Sequence, residues 1–212
     1  MDITVSLIFI CLILSWLYPI IALLIKLESD GPIFFKQKRV GRGGRTFLCI
    51  KFRTMVVNNE ADKVQAVKND SRITRFGHFL RDSNIDEFPQ FFNVLIGDMS
   101  IVGPRPHMLS DCIKFASFIE GYKFRNLVKP GLTGLAQMKG FHGPITSSDG
   151  IFSRFKWDAV YIQDANLWLD LHIIMSTAVQ QMRSIWQYVS RKKDAELSGS
   201  RFQQEPSSPA ID

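Results

Sequence analysis

Apolar and polar positions divide the chain into an anchor, a mixed body and a polar end. From Ile3 to Ile25 the sequence reads ITVSLIFICLILSWLYPIIALLI without one charge. A straight helix of that length reaches about 34 Å, enough to cross a hydrocarbon core of about 30 Å. No basic segment precedes the run and no small-x-small site follows it, which argues against a secretory leader. Helices apolar all round are rare in a domain this small, which argues against a buried core helix. The pattern therefore predicts membrane residence, with a break at Pro19, which lacks an N–H and pushes Tyr18 away from helical geometry. Two placements fit: a kinked span, or a re-entrant helix-break-helix that dips into one leaflet and returns. Lys26, Lys36, Lys38 and Arg39 follow the run, so a single span would leave the body in the cytoplasm.

Beyond the anchor, the turn Ser29-Asp30-Gly31-Pro32 precedes a short strand at Ile33-Phe34-Phe35. A glycine-rich turn over Val40–Arg45 and an alternating segment Thr46–Phe52 complete a hairpin. Residues 57–70 are polar and read as a loop-helix insertion. Apolar periodicity returns at Ile73–Leu80. A helix capped by Asn84 or Asp86 then carries Phe88, Phe91, Phe92 and Leu95, with Pro89 in its first turn and Gly97-Asp98 at its end. Ser100-Ile101-Val102 is a short apolar segment. One helix is expected over Met108–Leu127, a tight loop at Lys129-Pro130-Gly131 and Thr133-Gly134, and helical spacing from Phe155 to Tyr188. Trp157, Trp168, Trp186 and Tyr188 suit a helix lying at a bilayer surface, although a packed core helix fits equally well. Ser198–Asp212 is a polar tail expected to be disordered. The reading is an α+β, membrane-associated domain with a small hairpin and several helices, interfacial amphipathic ones among them. Its expected divisions are a membrane helix-break-helix over 1–27, a cytoplasmic or interfacial catalytic body over 28–190, and a polar tail over 191–212.

Composition narrows the chemistry. The chain has 212 residues, 46% hydrophobic, and a formal net charge of +6, which excludes a disordered chain. Cys11, Cys49 and Cys112 form no C-x-x-C pair and the four histidines do not cluster, so a disulfide scaffold or structural zinc is not expected. Seven basic residues and no acidic one lie between Lys36 and Arg53. Beside an apolar anchor, such a stretch suits anionic lipid or a phosphorylated substrate better than nucleic acid. The glycines make no Walker A motif, because no Gly-Lys-Ser/Thr follows them.

An Asp-Glu dipeptide usually marks a helix N-terminus favoured by the macrodipole. Asp86-Glu87, however, is flanked by Arg72, Arg75, Arg81 and Arg105 in a membrane-tethered chain. Arginine forks suit phosphates and carboxylates suit a hard cation such as Mg²⁺, which together describe phosphoryl transfer. Adjacent carboxylates are poorly placed to flank a glycosidic bond from both sides.

Five segments now occur in order: KFRTM (Lys51–Met55), DSRITRFG (Asp70–Gly77), LRDSNIDEFPQFFNV (Leu80–Val94), GDMSIVGPRP (Gly97–Pro106) and KPGLTGLAQ (Lys129–Gln137). In this the chain resembles the bacterial sugar transferases, monotopic polyprenyl-phosphate phosphoglycosyl transferases, over roughly residues 3–180. The resemblance implies transfer of a sugar-1-phosphate from a UDP-sugar to undecaprenyl phosphate, through a covalent phospho-sugar on an aspartate. Carried over, Asp86 is the nucleophile and Glu87 helps position Mg²⁺ and assists the acceptor; both are assigned to the metal. Lys51, Arg53, Arg72, Arg81, Arg105, Lys129 and His142 are assigned to phosphate or substrate binding. The resemblance also implies a re-entrant anchor, inner-membrane lipid as surroundings and a body on the cytoplasmic face, with oligomeric state left open.

The pattern departs from the family at several positions. Tyr18 replaces a common Ser before the proline, His142 replaces an Arg, Asn166 stands in an Asp-Ala-Asn-Leu-Trp segment, and basic residues ahead of the apolar run are absent. Arg105-Pro106-His107-Met108 and Gly140-Phe141-His142-Gly143 look most like the glucose-type branch, whose larger members carry further helices and another domain. Glucose or galactose is the expected sugar. The departures motivate an alternative, a catalytically degenerate membrane-surface scaffold.

Overall fold

In the computed structural model, which describes residues 1–57, 70–141 and 147–202, the apolar run is helical from Asp2 to Glu28. It comprises α1 (Asp2–Phe9), a π turn (Ile10–Leu14) and α2 (Ser15–Glu28). The break expected at Pro19 is corrected: the proline lies inside α2, and the departure from α geometry comes earlier, in the π turn. There the Ser15 N–H reaches back to the Ile10 carbonyl. The Cys11 carbonyl takes the Ser15 hydroxyl at 2.6 Å, and the Leu12 carbonyl takes the Trp16 indole N–H at 2.8 Å. Side-chain donors thus satisfy backbone groups that the altered ladder sets free.

The helix is two-faced. Leu14, Ile21 and Ile25 are buried, whereas Leu12, Trp16, Ile20, Leu23 and Leu27 form an exposed apolar stripe. Its inner face packs on Phe52, Leu80 and Ile85. Phe9 stacks on Phe91 with ring centroids 3.9 Å apart, and Tyr18 stacks on Phe34 at 5.6 Å. Both tips are tied to the body: Asp2 Oδ1 accepts from the Ile101 N–H at 3.3 Å, and the Glu28 carboxylate accepts from the Phe76 N–H at 2.9 Å.

The hairpin pairs β1 (Phe34–Val40) antiparallel with β2 (Thr46–Phe52), so the first strand runs well past Phe35 through the basic residues. α3 (Arg75–Asp82) is capped by Thr74, whose side chain accepts from the Gly77 N–H, a cap worth about 1 kcal/mol. The helix expected from Asn84 or Asp86 is divided. Ile85–Glu87 is a 3-10 turn, α4 spans Gln90–Leu95, and neither Asn84 nor Asp86 caps through its side chain; Pro89 holds the cap position of α4. β3 (Ser100–Val102) pairs parallel with β4 (Gly131–Thr133), so close that a Cβ on Gly131 would meet the Gly103 nitrogen at 2.1 Å. That approach is why the Lys129–Gly134 loop carries glycine where it does.

The helix expected over Met108–Leu127 is also divided, into α5 (Leu109–Ala116), which ends at Ser117, and a 3-10 segment Tyr122–Leu127, which starts from Gly121 in the left-handed region at φ 72°. α6 (Leu135–Met138) follows. The long helical stretch is two helices, α7 (Ser148–Asp164) and α8 (Leu167–Phe202), with the Asn166 side chain accepting from the Leu169 N–H to start the second. Trp157 is partly buried in the core with Lys139 over its ring, whereas Trp168 and Trp186 are exposed. Most of the expected 57–70 insertion and the tail beyond Phe202 lie outside the described residues, as does the Tyr188 side chain. One core gathers Val94, Met99, Ile101, Val102, Leu135, Tyr161 and Ile173 between the parallel strands and α7–α8.

Candidate active site

The acid pair sits on the short Ile85–Glu87 turn, reached through Asn84 in the left-handed region at φ 51°, which swings the chain back after α3. Asn and Asp tolerate that conformation best among residues with a side chain. The turn is held from below by Asn93, which is fully buried. Its Oδ1 accepts from the Ile50 N–H at 3.0 Å and its Nδ2 donates to the Leu48 carbonyl at 2.8 Å, so α4 is bonded to β2 as a strand would be. β2 in turn brings Lys51 to the acids.

Glu87 is the hub of the cations. Its Oε1 accepts from Lys51 Nζ at 2.6 Å and from Arg105 Nη2 at 2.7 Å, while Oε2 accepts from Arg105 Nη1 at 3.2 Å. Asp86, also buried, lies 4.0 Å from Lys51 Nζ, and no donor among the described residues hydrogen-bonds its carboxylate. The neighbours differ accordingly. Burial pushes the Asp86 carboxyl up to about 6, opposed by Lys51 and reinforced by the Glu87 charge, with Arg81 and Arg105 opposing further. Burial would raise Glu87 too, but Arg105 and Lys51 outweigh it and hold that carboxyl well below the usual carboxylate range. Two adjacent acids driven apart in this way are suited to different tasks: Glu87 to anchoring cations, Asp86 to changing its protonation near neutrality.

The other assigned residues divide by where their forks go. Arg81 donates to Thr54 Oγ1 at 2.9 Å and still acts on the Asp86 charge. Arg53 clamps the Ser29 and Asp30 carbonyls, fixing the exit from α2. Arg72 is bidentate on Asp70 at 2.9 and 2.7 Å, and the Lys129 ammonium lies beside Gly97. The structure thus unites Lys51, Arg81 and Arg105 with Asp86 and Glu87, and commits Arg53 and Arg72 to other partners. His142 lies outside the described residues.

No group of three or more His, Cys, Asp or Glu converges among the described residues. A cage made by protein alone is therefore not in view, but magnesium commonly takes one or two carboxylates and completes its shell with water and substrate phosphates. Asp86 fits that use, because its oxygens are not taken by protein donors, whereas both Glu87 oxygens already are.

Sequence reasoning missed the ground beneath Arg105. Arg125 donates to Asp158 Oδ2 at 2.8 Å and lies against His107 Nδ1 at 2.7 Å, while Arg154 meets His107 Nε2 at 3.2 Å, all buried. Burial and the arginines push the His107 imidazole well below its usual range, so it is neutral. A signal existed: Ile151, Arg154, Asp158 and Tyr161 are the buried residues of α7 and share one helical face, so two charges stand at core-facing positions.

The sequence model of the bacterial sugar transferases matches residues 1–184. The chain is 47% identical over 177 residues to the UDP-glucose:undecaprenyl-phosphate glucose-1-phosphate transferase of Klebsiella pneumoniae, covering 83% of this chain and 38% of that protein. It is 45% identical over 157 residues to the UDP-N-acetylgalactosamine-undecaprenyl-phosphate N-acetylgalactosaminephosphotransferase of Aeromonas hydrophila, covering 74% and 37%. With the exopolysaccharide production protein PSS of Rhizobium leguminosarum it shares 41% identity over 167 residues, covering 76% and 84%. The chain thus spans less than two fifths of the first two relatives and most of the third.

Proposed function

The chain belongs to the bacterial sugar transferase family, and on that premise we propose that it moves a sugar-1-phosphate from a UDP-sugar to undecaprenyl phosphate. The observation that carries this reading is the divided acid pair: Glu87 holds Lys51 and Arg105, and Asp86 beside it is left without a hydrogen-bonded donor. An Asp86 oxygen attacks the sugar-linked phosphorus. The bond from that phosphorus to the bridging oxygen breaks, and UMP leaves with the electron pair. An oxygen of undecaprenyl phosphate then attacks the same phosphorus, freeing the Asp86 carboxylate and forming the lipid diphosphate sugar. Lys51, Arg81 and Arg105 neutralise the phosphates as charge develops. Magnesium held by Asp86 would supply further neutralisation of the donor diphosphate when bound.

Glucose or galactose is the sugar we propose, in keeping with the glucose-1-phosphate transferase named among the relatives, and initiation of an exopolysaccharide or other glycoconjugate the use. The seat is the inner membrane, with the body on the cytoplasmic face and the apolar helix re-entrant. Two features support this placement. Asp2 and Glu28 tie both tips of the helix to one body, which a helix leaving that body to cross a bilayer would not do. Leu167, Trp168, Leu171, Met175, Met182 and Trp186 on α8 form a second exposed apolar stripe with tryptophan at either end.

Full-length enzyme in detergent, given UDP-glucose, undecaprenyl phosphate and Mg²⁺, should release UMP and form lipid-linked sugar. Asp86→Asn should abolish this while remaining folded. With acceptor withheld, mass spectrometry should find a hexose-phosphate adduct on Asp86. Substantial turnover by Asp86→Asn overturns the reading.

A further inference from the structure

The segment Pro104–His107 delivers Arg105 to Glu87, and its prolines remove two N–H groups that could have tied it down. It is held instead by its carbonyls, all four taken, by three parts of the fold: β4, the Tyr122–Leu127 segment and the end of β1. Pro104 O accepts from the Gly131 N–H at 3.0 Å, Arg105 O from Arg125 Nη2 at 2.7 Å, Pro106 O from Arg39 Nη1 at 3.2 Å, and His107 O from the Val40 N–H at 2.9 Å. The contact at Arg105 itself comes from a buried side chain. Arg125 is 4% exposed, donates through Nε and Nη2 to Asp158 Oδ2 and through Nη1 to the Tyr122 hydroxyl at 3.1 Å. Only a planar fork can meet an acid, a phenol and a carbonyl at once from one position.

We propose that Arg125 is a positioning residue for sugar-phosphate transfer, fixing the Arg105 backbone so that the Arg105 guanidinium stays across both Glu87 oxygens beside Asp86. The inference rests on the reading that Asp86 and Arg105 serve phosphoryl transfer. Arg125 touches no substrate in this scheme; a buried ion pair between the Tyr122–Leu127 segment and α7 is transmitted through one carbonyl to the cation that faces the phosphates. Tyr122 and Asp158 orient the fork, and Arg39 holds the next carbonyl in the same manner.

A double-variant cycle on the full chain tests this, with UDP-glucose and undecaprenyl phosphate as substrates. Arg125→Lys keeps the charge and loses the fork. It should lower kcat about 10- to 100-fold with the donor KM within about threefold, since the loss falls on the reacting arrangement. In an Arg105→Lys background the same change should cost no more than about threefold, because the residue it positions is already gone. A double variant as slow as the product of the two single losses overturns the proposal, as does a loss confined to KM or no loss at all. Should Arg125→Lys fail to fold, Tyr122→Phe takes its place. It should lower kcat about two- to fivefold alone and have no effect in the Arg105→Lys background, and additivity again overturns the proposal. Failure of the underlying reading is seen separately, as turnover surviving Asp86→Asn.

Discussion

Arg105 grips Glu87 with both ends of its guanidinium, at 2.7 and 3.2 Å, and Lys51 reaches the same carboxylate at 2.6 Å. Lys51 thereby sits 4.0 Å from Asp86 without bonding it. The clamp keeps two cations beside Asp86 and leaves the Asp86 carboxylate without a hydrogen-bonded donor among the described residues, the arrangement on which its proposed role as nucleophile rests.

Glu87→Gln keeps the shape of the hub and removes its charge. Charge-assisted hydrogen bonds are worth about 1.5–3 kcal/mol, so kcat/KM should fall about ten- to hundredfold while the variant stays folded. Steady-state UMP release, with circular dichroism as the folding check, measures both; unchanged kcat/KM would remove Glu87 from the machinery.

The pH dependence follows from Asp86. Its folded value, about 6, lies above the ordinary carboxylate value, so the acid is protonated and unreactive below that point and ionised above it. The rate should climb through pH 6 to a plateau near 7. In stability the sign is opposite: the folded protein prefers the protonated acid, so this contribution is present below about pH 4 and lost as pH rises through 6. Asp86→Asn should flatten that part of the stability profile in denaturant melts.

Asp158 is the counter-ion of Arg125 in the interior, 2.8 Å from Nη2 and 2% exposed. Removing one partner of a buried pair strands the other charge, at about 3–5 kcal/mol. Asp158→Ala should therefore melt several degrees lower than the parent in the same detergent, and an unchanged melting curve would show the pair to be dispensable.

Membrane placement can be read by labelling. In a background without native cysteines, Ile3→Cys and Ser29→Cys should both react with an impermeant maleimide from the same side of membrane vesicles. Labelling from opposite sides would mean that the helix spans.

Local pattern made much of this molecule legible. The uncharged run and the hairpin are written in neighbouring residues, where periodicity and turn chemistry operate. What the sequence hid depends on partners far along the chain. Lys51 meets Glu87 across 36 positions and Arg125 meets Asp158 across 33, and spacing says nothing about such meetings. Charge alone also nominated Arg53 and Arg72 for phosphate, whereas their forks serve the Ser29 and Asp30 carbonyls and Asp70. The helical spacing read from Phe155 to Tyr188 continues across Ala165-Asn166, because both helices face the same core although the backbone between them turns. Likewise the backbone turns between Ser117 and Gly121, where the expected helix divides although its side-chain pattern runs on.

The fastening of Asp2 to β3 and of Glu28 to α3 leaves the greasy helix no freedom to lean. When lipid tails lengthen or shorten, a lone peptide adjusts its tilt; seated as proposed, this molecule has to float higher or lower as one piece. On the proposed placement, the Asp86 carboxylate then keeps one height above the helix in thick and thin bilayers alike.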